Sequence, residues 1–431
     1  MNRFRWLTVL GFLLIGISAN AQEIPASLDV SKPWCFNVDI TAPGGPLINL
    51  MPGPKLYLLN NGDLLTEVTL NKYVTDAVSK GSKAVWFVSA NGGIEWSVLK
   101  KKPADFAAIN LGGGFHQACG EGLCNGALKL SDGTLLATTS PGFENFRESE
   151  REKLAAQGYS LFDHQHGNAP GVVSVIRKFM MSRSRDGGKS LETKDIELPF
   201  MAEIATYSKA IVLRDGTYIQ PAWGLFNKDE RWLSSLAIRT NDNGDHWEMS
   251  TIAKGKDFDL GEPSITQAPN GDVVAVMRTT AQKELWTATS SDGGKTWSSP
   301  RDSGMRGSTP WVVTTKQGLL VAVYSRRDTK LFPTTGMFAC VSRDNGQSWD
   351  VEHQAMIRDN GTGTVDGYPQ AVALPDGSVF AVYGLWLSIP GRTVSGGISA
   401  STRLAVGGTR FSPAYQGIPV LSFEQAPAEP K

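Results

Sequence analysis

Two short motifs alternate along this chain, and their alternation restricts the fold more than any other feature. The first is an Asn-Gly or Asp-Gly pair between apolar runs: Asn61-Gly62-Asp63-Leu64, Asp132-Gly133-Thr134-Leu135, Asp215-Gly216-Thr217-Tyr218, Asn270-Gly271-Asp272-Val273 and Asp376-Gly377-Ser378-Val379, with Gln317-Gly318-Leu319-Leu320 as a variant. Such a pair is the strongest short-range hairpin signal and predicts a tight turn with both residues at positive φ. The second motif is Ser/Thr-x-Asp-x-Gly-x-x-Trp. It is complete at residues 240–247, 290–297 and 342–349, and degenerate at 89–96 (Asn91 for Asp) and 184–191 (Leu191 for Trp). Its Asp is placed to accept backbone N–H groups within the turn, its Gly supplies positive φ, and its Trp packs on the neighbouring sheet. One copy of the second motif follows each of the first five copies of the first.

The intervals between the turn glycines are each long enough for four short strands. Repeats of this kind form arrays, and strand-rich units with Gly and aromatic motifs form β-propellers. The expected fold is all-β: a six-bladed β-propeller of four-stranded antiparallel blades, occupying residues 22–431 as one domain. No second motif follows Gly377, which fits a ring-closing blade shared by the two chain ends, with its missing strand drawn from near residues 36–48. Two stretches interrupt the pattern. Residues 147–158 read as a short mixed-charge helix ended by Gly158, and residues 386–397 carry no motif.

Composition narrows the function. The 42 basic and 42 acidic side chains balance, so the chain lacks the cationic excess of a nonspecific nucleic-acid or anionic-membrane binder. Residues 1–21 read as a secretory signal peptide: Arg3 and Arg5, then an apolar stretch, then Ala19-Asn20-Ala21 as the cleavage site. Nothing later is apolar for long enough to span a membrane as a helix. The mature protein is therefore expected in a periplasm or outside the cell. That setting permits disulfides, and of the four cysteines, Cys119 and Cys124 are spaced to close a small loop. No Cys/His spacing reads as a zinc site.

The Asp-containing turns resemble the Asp-boxes of the sialidase (neuraminidase) superfamily, and the resemblance covers nearly the whole mature chain. It implies an enzyme without a cofactor that removes a terminal acidic sugar from a glycan through a tyrosine nucleophile, an exception among glycosidases. A neutral phenol is suited to a sugar bearing its own carboxylate, because an anionic nucleophile would be repelled. On this resemblance, Tyr368 in Asp366-Gly367-Tyr368-Pro369 is the nucleophile and Glu262 in Gly261-Glu262-Pro263-Ser264 is its base. Asp76 is the acid/base, and Arg278, with Arg326 or Arg327, grips the substrate carboxylate. The sequence departs from the family at Pro52-Gly53-Pro54, where an Arg-Ile-Pro segment would supply another clamp arginine; Lys55 stands beside it. Lysine does not reproduce the two-pronged guanidinium grip.

Two other readings compete. His116 and the Asp163-His164-Gln165-His166 stretch place imidazoles on loops, as would suit a propeller polysaccharide lyase abstracting a proton beside a uronate carboxylate with His/Tyr chemistry. A noncatalytic sugar-binding propeller would instead stack Trp223, Trp311 or Trp386 on sugar faces.

Overall fold

The computed structural model describes residues 35–40, 54–59, 61–71, 82–99, 127–139, 143–156, 161–163, 171–176, 179–187, 190–198, 203–227, 230–279, 283–326, 335–359, 365–387 and 403–413. All belong to one unit, Trp34–Lys431. The expected leader, Asp76, Cys119, Cys124, His116, His164, His166 and Arg327 lie outside the described residues. Cys340 is a free, buried thiol. No helix among the described residues is long and apolar enough to cross a membrane.

Six antiparallel sheets follow one another in chain order and form the six blades. Blade 4 shows the plan: Gly261–Gln267 innermost, then Val273–Arg278, Glu284–Ser290 and Arg301–Arg306 outward. Blade 5 repeats it with Ser308–Thr314, Leu320–Arg326, Gly336–Ser342 and Ala355–Asp359. Blade 6 takes Val365–Ala373, Val379–Leu387 and Arg403–Phe411 from the end of the chain and Cys35–Ile40 from its start. Cys35 pairs with Phe411 and Ile40 with Val406, so the two ends of the chain close the ring within one blade. This is the strand expected from residues 36–48. An additional three-stranded sheet, Phe143–Arg147, Val172–Ile176 and Leu161–Asp163, leaves blade 2 between its second and third strands. It carries the expected short helix, Arg151–Ala156, after one 3₁₀ turn at Glu148–Glu150.

Both faces of a blade are covered by its neighbours, and so the central strands read as unbroken apolar runs rather than alternations. Val273 to Met277, Leu320 to Tyr324 and Val379 to Tyr383 are all fully buried. Val274 and Val276 of blade 4, for example, pack with Ala322, Tyr324, Phe338 and Trp349 of blade 5.

The two turn motifs differ in conformation from what the sequence suggests. In the first motif only the glycine has positive φ: 88° at Gly62, 90° at Gly133, 88° at Gly216, 101° at Gly271, 83° at Gly318 and 85° at Gly377. The Gly62 N–H donates to Leu59 O (2.9 Å) and the Leu59 N–H to Asp63 O (2.8 Å), and all six turns share this pairing. That is a type I turn closed by a left-handed glycine, so the preceding residue needs no special freedom. Gln317 is accepted there for that reason. Two successive positive φ values occur instead in the Asp-turns, at Asn243-Gly244, Gly293-Gly294 and Asn345-Gly346.

The Asp-turns build the rim of the ring. In blade 4, Ser290 Oγ donates to Asp292 Oδ1 (2.8 Å) and accepts from Gly294 N (2.8 Å), while Asp292 Oδ1 also accepts from Thr296 N (2.9 Å). The rim turns of blades 1, 3, 4 and 5 lie on the preceding blade. Gly244 meets Leu136 and Met181 of blade 2, and Trp297 Nε1 donates to Ser250 Oγ of blade 3 (3.0 Å). An arginine of the preceding blade grasps the turn's backbone: Arg183 reaches Asn243 O (2.9 Å), Arg239 reaches Gly293 O (3.1 Å), Arg301 reaches Gly346 O (2.6 Å) and Arg410 reaches Gly92 O (3.2 Å).

Candidate active site

Three inner strands begin with the same irregularity. In blade 4, Gly261 pairs with Arg278 and Ser264 with Val276, leaving Glu262 and Pro263 opposite one residue. Ser308 and Trp311 of blade 5 bracket Thr309 and Pro310 in this way, as Gly367 and Gln370 of blade 6 bracket Tyr368 and Pro369. Proline suits a bulge because it has no N–H to leave unpaired. The residue before each proline has positive φ: 45° at Glu262, 49° at Thr309 and 49° at Tyr368. A bulge re-aims a side chain, and here Glu262 and Tyr368 turn toward each other at one mouth of the ring while the fully buried Thr309 hydroxyl turns to Ser325 Oγ.

There Tyr368 and Glu262 meet. The Tyr368 hydroxyl donates to Glu262 Oε1 at 3.5 Å. Arg278, ending the strand paired with Glu262's own, donates from Nη1 to both Glu262 oxygens (2.9 and 2.8 Å). The pair is mostly buried, with 23% of the Arg278 and 14% of the Glu262 side chain exposed. Burial works against the guanidinium charge, but Glu262 and, beyond it, Tyr368 more than offset this and raise the Arg278 pKa. Arg278 Nε is buried without a hydrogen-bond partner. The half-buried Trp223 indole lies against Gly261, the residue before Glu262.

Beneath the mouth the axis is filled from blade 3. Its inner strand is split into Glu203–Ala205 and Ile211–Val212. The split falls opposite Pro221, which has no N–H to give the ladder. Gln220 takes over, donating from Nε2 to Ser208 O at 3.0 Å. The released segment crosses to the far side of the ring. Tyr207 Oη lies 3.1 Å from Pro369 O of blade 6 and 3.3 Å from Thr309 O of blade 5. Ser208 Oγ donates to Pro263 O of blade 4 (2.6 Å), and Lys209 Nζ donates to Leu56 O of blade 1. The Lys209 ammonium also sits 4.6 Å from the Tyr57 ring centre and 5.9 Å from that of Trp311. Burial, with the like charge of Lys55 adding to it, lowers its pKa to about 7.

The sequence matches the BNR repeat-like domain family over residues 161–384, more than half of the chain. The protein belongs to this BNR repeat-like family. Among solved structures it is similar to a protein of unknown function from Dyadobacter fermentans, with TM-score 0.59, 20% identity, and coverage of 88% of this chain and 100% of that one. It is also similar to the NanB sialidase from Streptococcus pneumoniae, with TM-score 0.51, 14% identity, and coverage of 86% and 69%. At these identities the likeness is one of fold. No curated protein matches the chain in sequence.

Of the residues singled out in this BNR repeat-like chain, the fold brings together Tyr368, Glu262 and Arg278. Arg326 directs Nε to Arg306 O (2.9 Å) and Nη2 to Gln354 Oε1 (2.9 Å), with its guanidinium 4.0 Å from the centre of the Phe338 ring. Lys55, beside the absent clamp arginine, pairs with Glu67 at 3.5 Å. Trp311 is buried and donates from its indole to Ala371 O (3.0 Å), so it is interior rather than a sugar platform. His246 and His353 pair locally with Asp242 (2.6 Å) and Asp350 (2.8 Å) at the surface. Sequence reasoning missed Tyr207, Lys209 and Thr309. A signal existed in the recurrence of x-Pro at inner-strand starts, in Glu262-Pro263, Thr309-Pro310 and Tyr368-Pro369, and in Pro221 within an otherwise clean strand.

Proposed function

We propose that this protein is an exported, retaining exo-glycosidase of sialidase type that removes a terminal sialic acid, or a related acidic sugar, from glycoconjugates. The observation that carries this reading is the approach of the Tyr368 hydroxyl to Glu262, with Arg278 joined to the same carboxylate. The 3.5 Å separation is at the outer limit of a hydrogen bond, and catalytic contacts commonly tighten when substrate binds. Glu262 takes the phenolic proton as Tyr368 Oη attacks the anomeric carbon. The glycosidic C–O bond breaks, and the leaving oxygen is protonated by Asp76. Water then attacks the tyrosyl-glycoside, giving one proton to Asp76, and Glu262 returns the phenolic proton to Tyr368. The cationic Arg278 holds the sugar carboxylate against the mouth. The sialidase in the structural comparison supports the reading through fold only.

The test is release of a fluorophore from an aryl α-sialoside, run beside a uronic-acid polymer assayed for an unsaturated product. Fluorophore release that disappears in Tyr368→Phe is expected. Absence of release from any aryl α-sialoside, or appearance of the unsaturated product, overturns the proposal.

A further inference from the structure

Tyr368 occupies a conformation that its own chemistry disfavours. A non-glycine residue in the left-handed region costs about 1 kcal/mol or more, and the surroundings must over-determine it for it to persist. Thr309, on the neighbouring bulge, is in the same region. The contacts that hold the two together come from blades 3 and 5. Tyr368 N–H donates to Thr309 Oγ1 (3.3 Å), and that hydroxyl shares a hydrogen bond with Ser325 Oγ (3.0 Å). A Cβ on Gly367 would stand 2.5 Å from Ser325 Oγ and 3.0 Å from Thr309 Oγ1, so only glycine lets the strand approach this closely. From below, the single proton of the Tyr207 hydroxyl lies between Pro369 O and Thr309 O, the carbonyls of the two bulges. The Tyr207 ring meets the Tyr368 ring edge-on at 5.6 Å and the Trp311 ring edge-on at 5.9 Å.

We propose that Tyr207, acting with the Thr309 hydroxyl, is a positioning residue that fixes the Tyr368 phenol relative to Glu262. The inference rests on the reading in which Tyr368 is the nucleophile. Tyr207 itself is 2% exposed and donates to backbone, so it acts through the bulges. Its hydroxyl ties the blade 5 and blade 6 bulges at one separation, and the ring contact limits the swing of the Tyr368 side chain. A small misplacement of a reacting atom slows a reaction far more than the strength of one hydrogen bond would suggest.

Tyr207→Phe keeps the ring and deletes the tie. In that variant kcat on an aryl α-sialoside is expected to fall about tenfold with KM within about twofold. Thr309→Val is expected to do the same and Thr309→Ser to restore most of the rate. A second readout is independent of turnover: the rate of nitration of Tyr368 by tetranitromethane, mapped by mass spectrometry, which should change several-fold in Tyr207→Phe and Thr309→Val. A purely structural Tyr207 would lower Tm while leaving kcat per folded molecule and Tyr368 nitration unchanged, and that result overturns the inference. If the wild-type protein hydrolyses no glycoside, the functional proposal falls, and the nitration comparison alone decides the positioning role. If Tyr207→Phe does not fold, the Thr309 pair decides it.

Discussion

The rim and the mouth of this propeller both rely on left-handed backbone, but they recruit opposite kinds of residue for it. At the rim four of the turns carry two successive positive φ angles, filled by Gly92 and Gly93 (69° and 93°), Asn243 and Gly244 (60° and 89°), Gly293 and Gly294 (71° and 82°) or Asn345 and Gly346 (58° and 83°). These are the residues that adopt such angles at least cost. At the mouth the same region is occupied by Glu262, Thr309 and Tyr368. A rim turn needs only a backbone path and a carboxylate or amide to cap it. A mouth bulge needs a particular side chain, to meet its partner there or to hold a neighbouring bulge, and glycine has none to offer. Where the chain tolerates strain to keep a side chain, the side chain is the reason.

That contrast breaks most sharply on activity. Tyr368→Phe keeps the ring, its edge contact with Tyr207 and the bulge, and removes only the attacking oxygen. Turnover of an aryl α-sialoside is expected to fall by about a thousandfold or more while Tm stays within about a degree. A mutant that retained turnover would mean that the mouth's strain serves something other than this tyrosine.

The reciprocal test is Gly346→Ala at the rim. Its φ is 83°, and the new Cβ would sit 2.7 Å from Val274 Cγ1 and 2.9 Å from its Cγ2, a β-branched side chain with nowhere to retreat in the blade 4–blade 5 core. Positive φ and overpacking together should cost about 2–4 kcal/mol in chemical denaturation. The kcat of the folded enzyme should not change. Loss of kcat at full folding would show that rim and mouth are coupled.

The same asymmetry explains what the sequence made legible. Turn residues repeat, so six Gly-containing hairpin turns, alternating with five rim turns such as those of Asp242, Asp292 and Asp344, announced six blades and their order. Even the closing strand, Cys35–Ile40, could be anticipated near residues 36–48 from the missing sixth Asp-turn. Mouth residues do not repeat as types, since Glu, Thr and Tyr occupy equivalent bulges; only the following proline is shared. Glu262, Arg278 and Tyr368 were found by likeness to sialidases, not by periodicity. Tyr207 and Lys209 were invisible because their placement depends on a strand that splits opposite Pro221 and on carbonyls contributed by Pro369, Thr309 and Leu56, distant in sequence. The turn type was misread for a simpler reason: Asp-Gly suits two turns, and the hydrogen bond from Gly62 N–H to Leu59 O selects the one in which glycine alone is left-handed.

A smaller effect is expected beneath the mouth. Lys209 titrates near pH 7 because burial, then Lys55, disfavours its charge, whereas in the unfolded chain its pKa is about 10.4. Between those values the unfolded state holds a proton that the folded state lacks, so this lysine makes stability rise from pH 7 toward 10; below pH 7 both states are protonated, and its destabilising effect is fully present and no longer varies with pH. Lys209→Met should flatten that rise, read as the slope of Tm against pH between 6 and 9. An unchanged slope would show that the amine stays charged where it sits on Leu56 O.

The mildest test is at the rim, where the molecule contains its own control. Asp292 is partly desolvated, which opposes ionisation, yet hydrogen bonds from Thr296, Ser290 and Lys295 prevail and hold its carboxyl down at about 2; Asp242, bonded by His246 and Thr240, is held at the same level. An unfolded aspartate titrates at about 3.9. The folded values are depressed, so the stabilisation is complete above about pH 4 and is lost as pH falls from 4 toward 2. Blade 1 performs the same turn without the charge: Asn91 Oδ1 accepts from Ser89 Oγ (3.0 Å) and from Glu95 N (2.9 Å). Asp292→Asn should therefore fold with the turn intact and lose about a degree or two of Tm at pH 7. The difference from wild type should shrink as pH falls below 4 and close only below pH 2, because near pH 2 the native aspartate is still about half ionised. A gap that persists unchanged at pH 2 would mean that the turn depends on the shape of the aspartate rather than on its charge, and Asn91 would then be a weaker cap than its hydrogen bonds suggest.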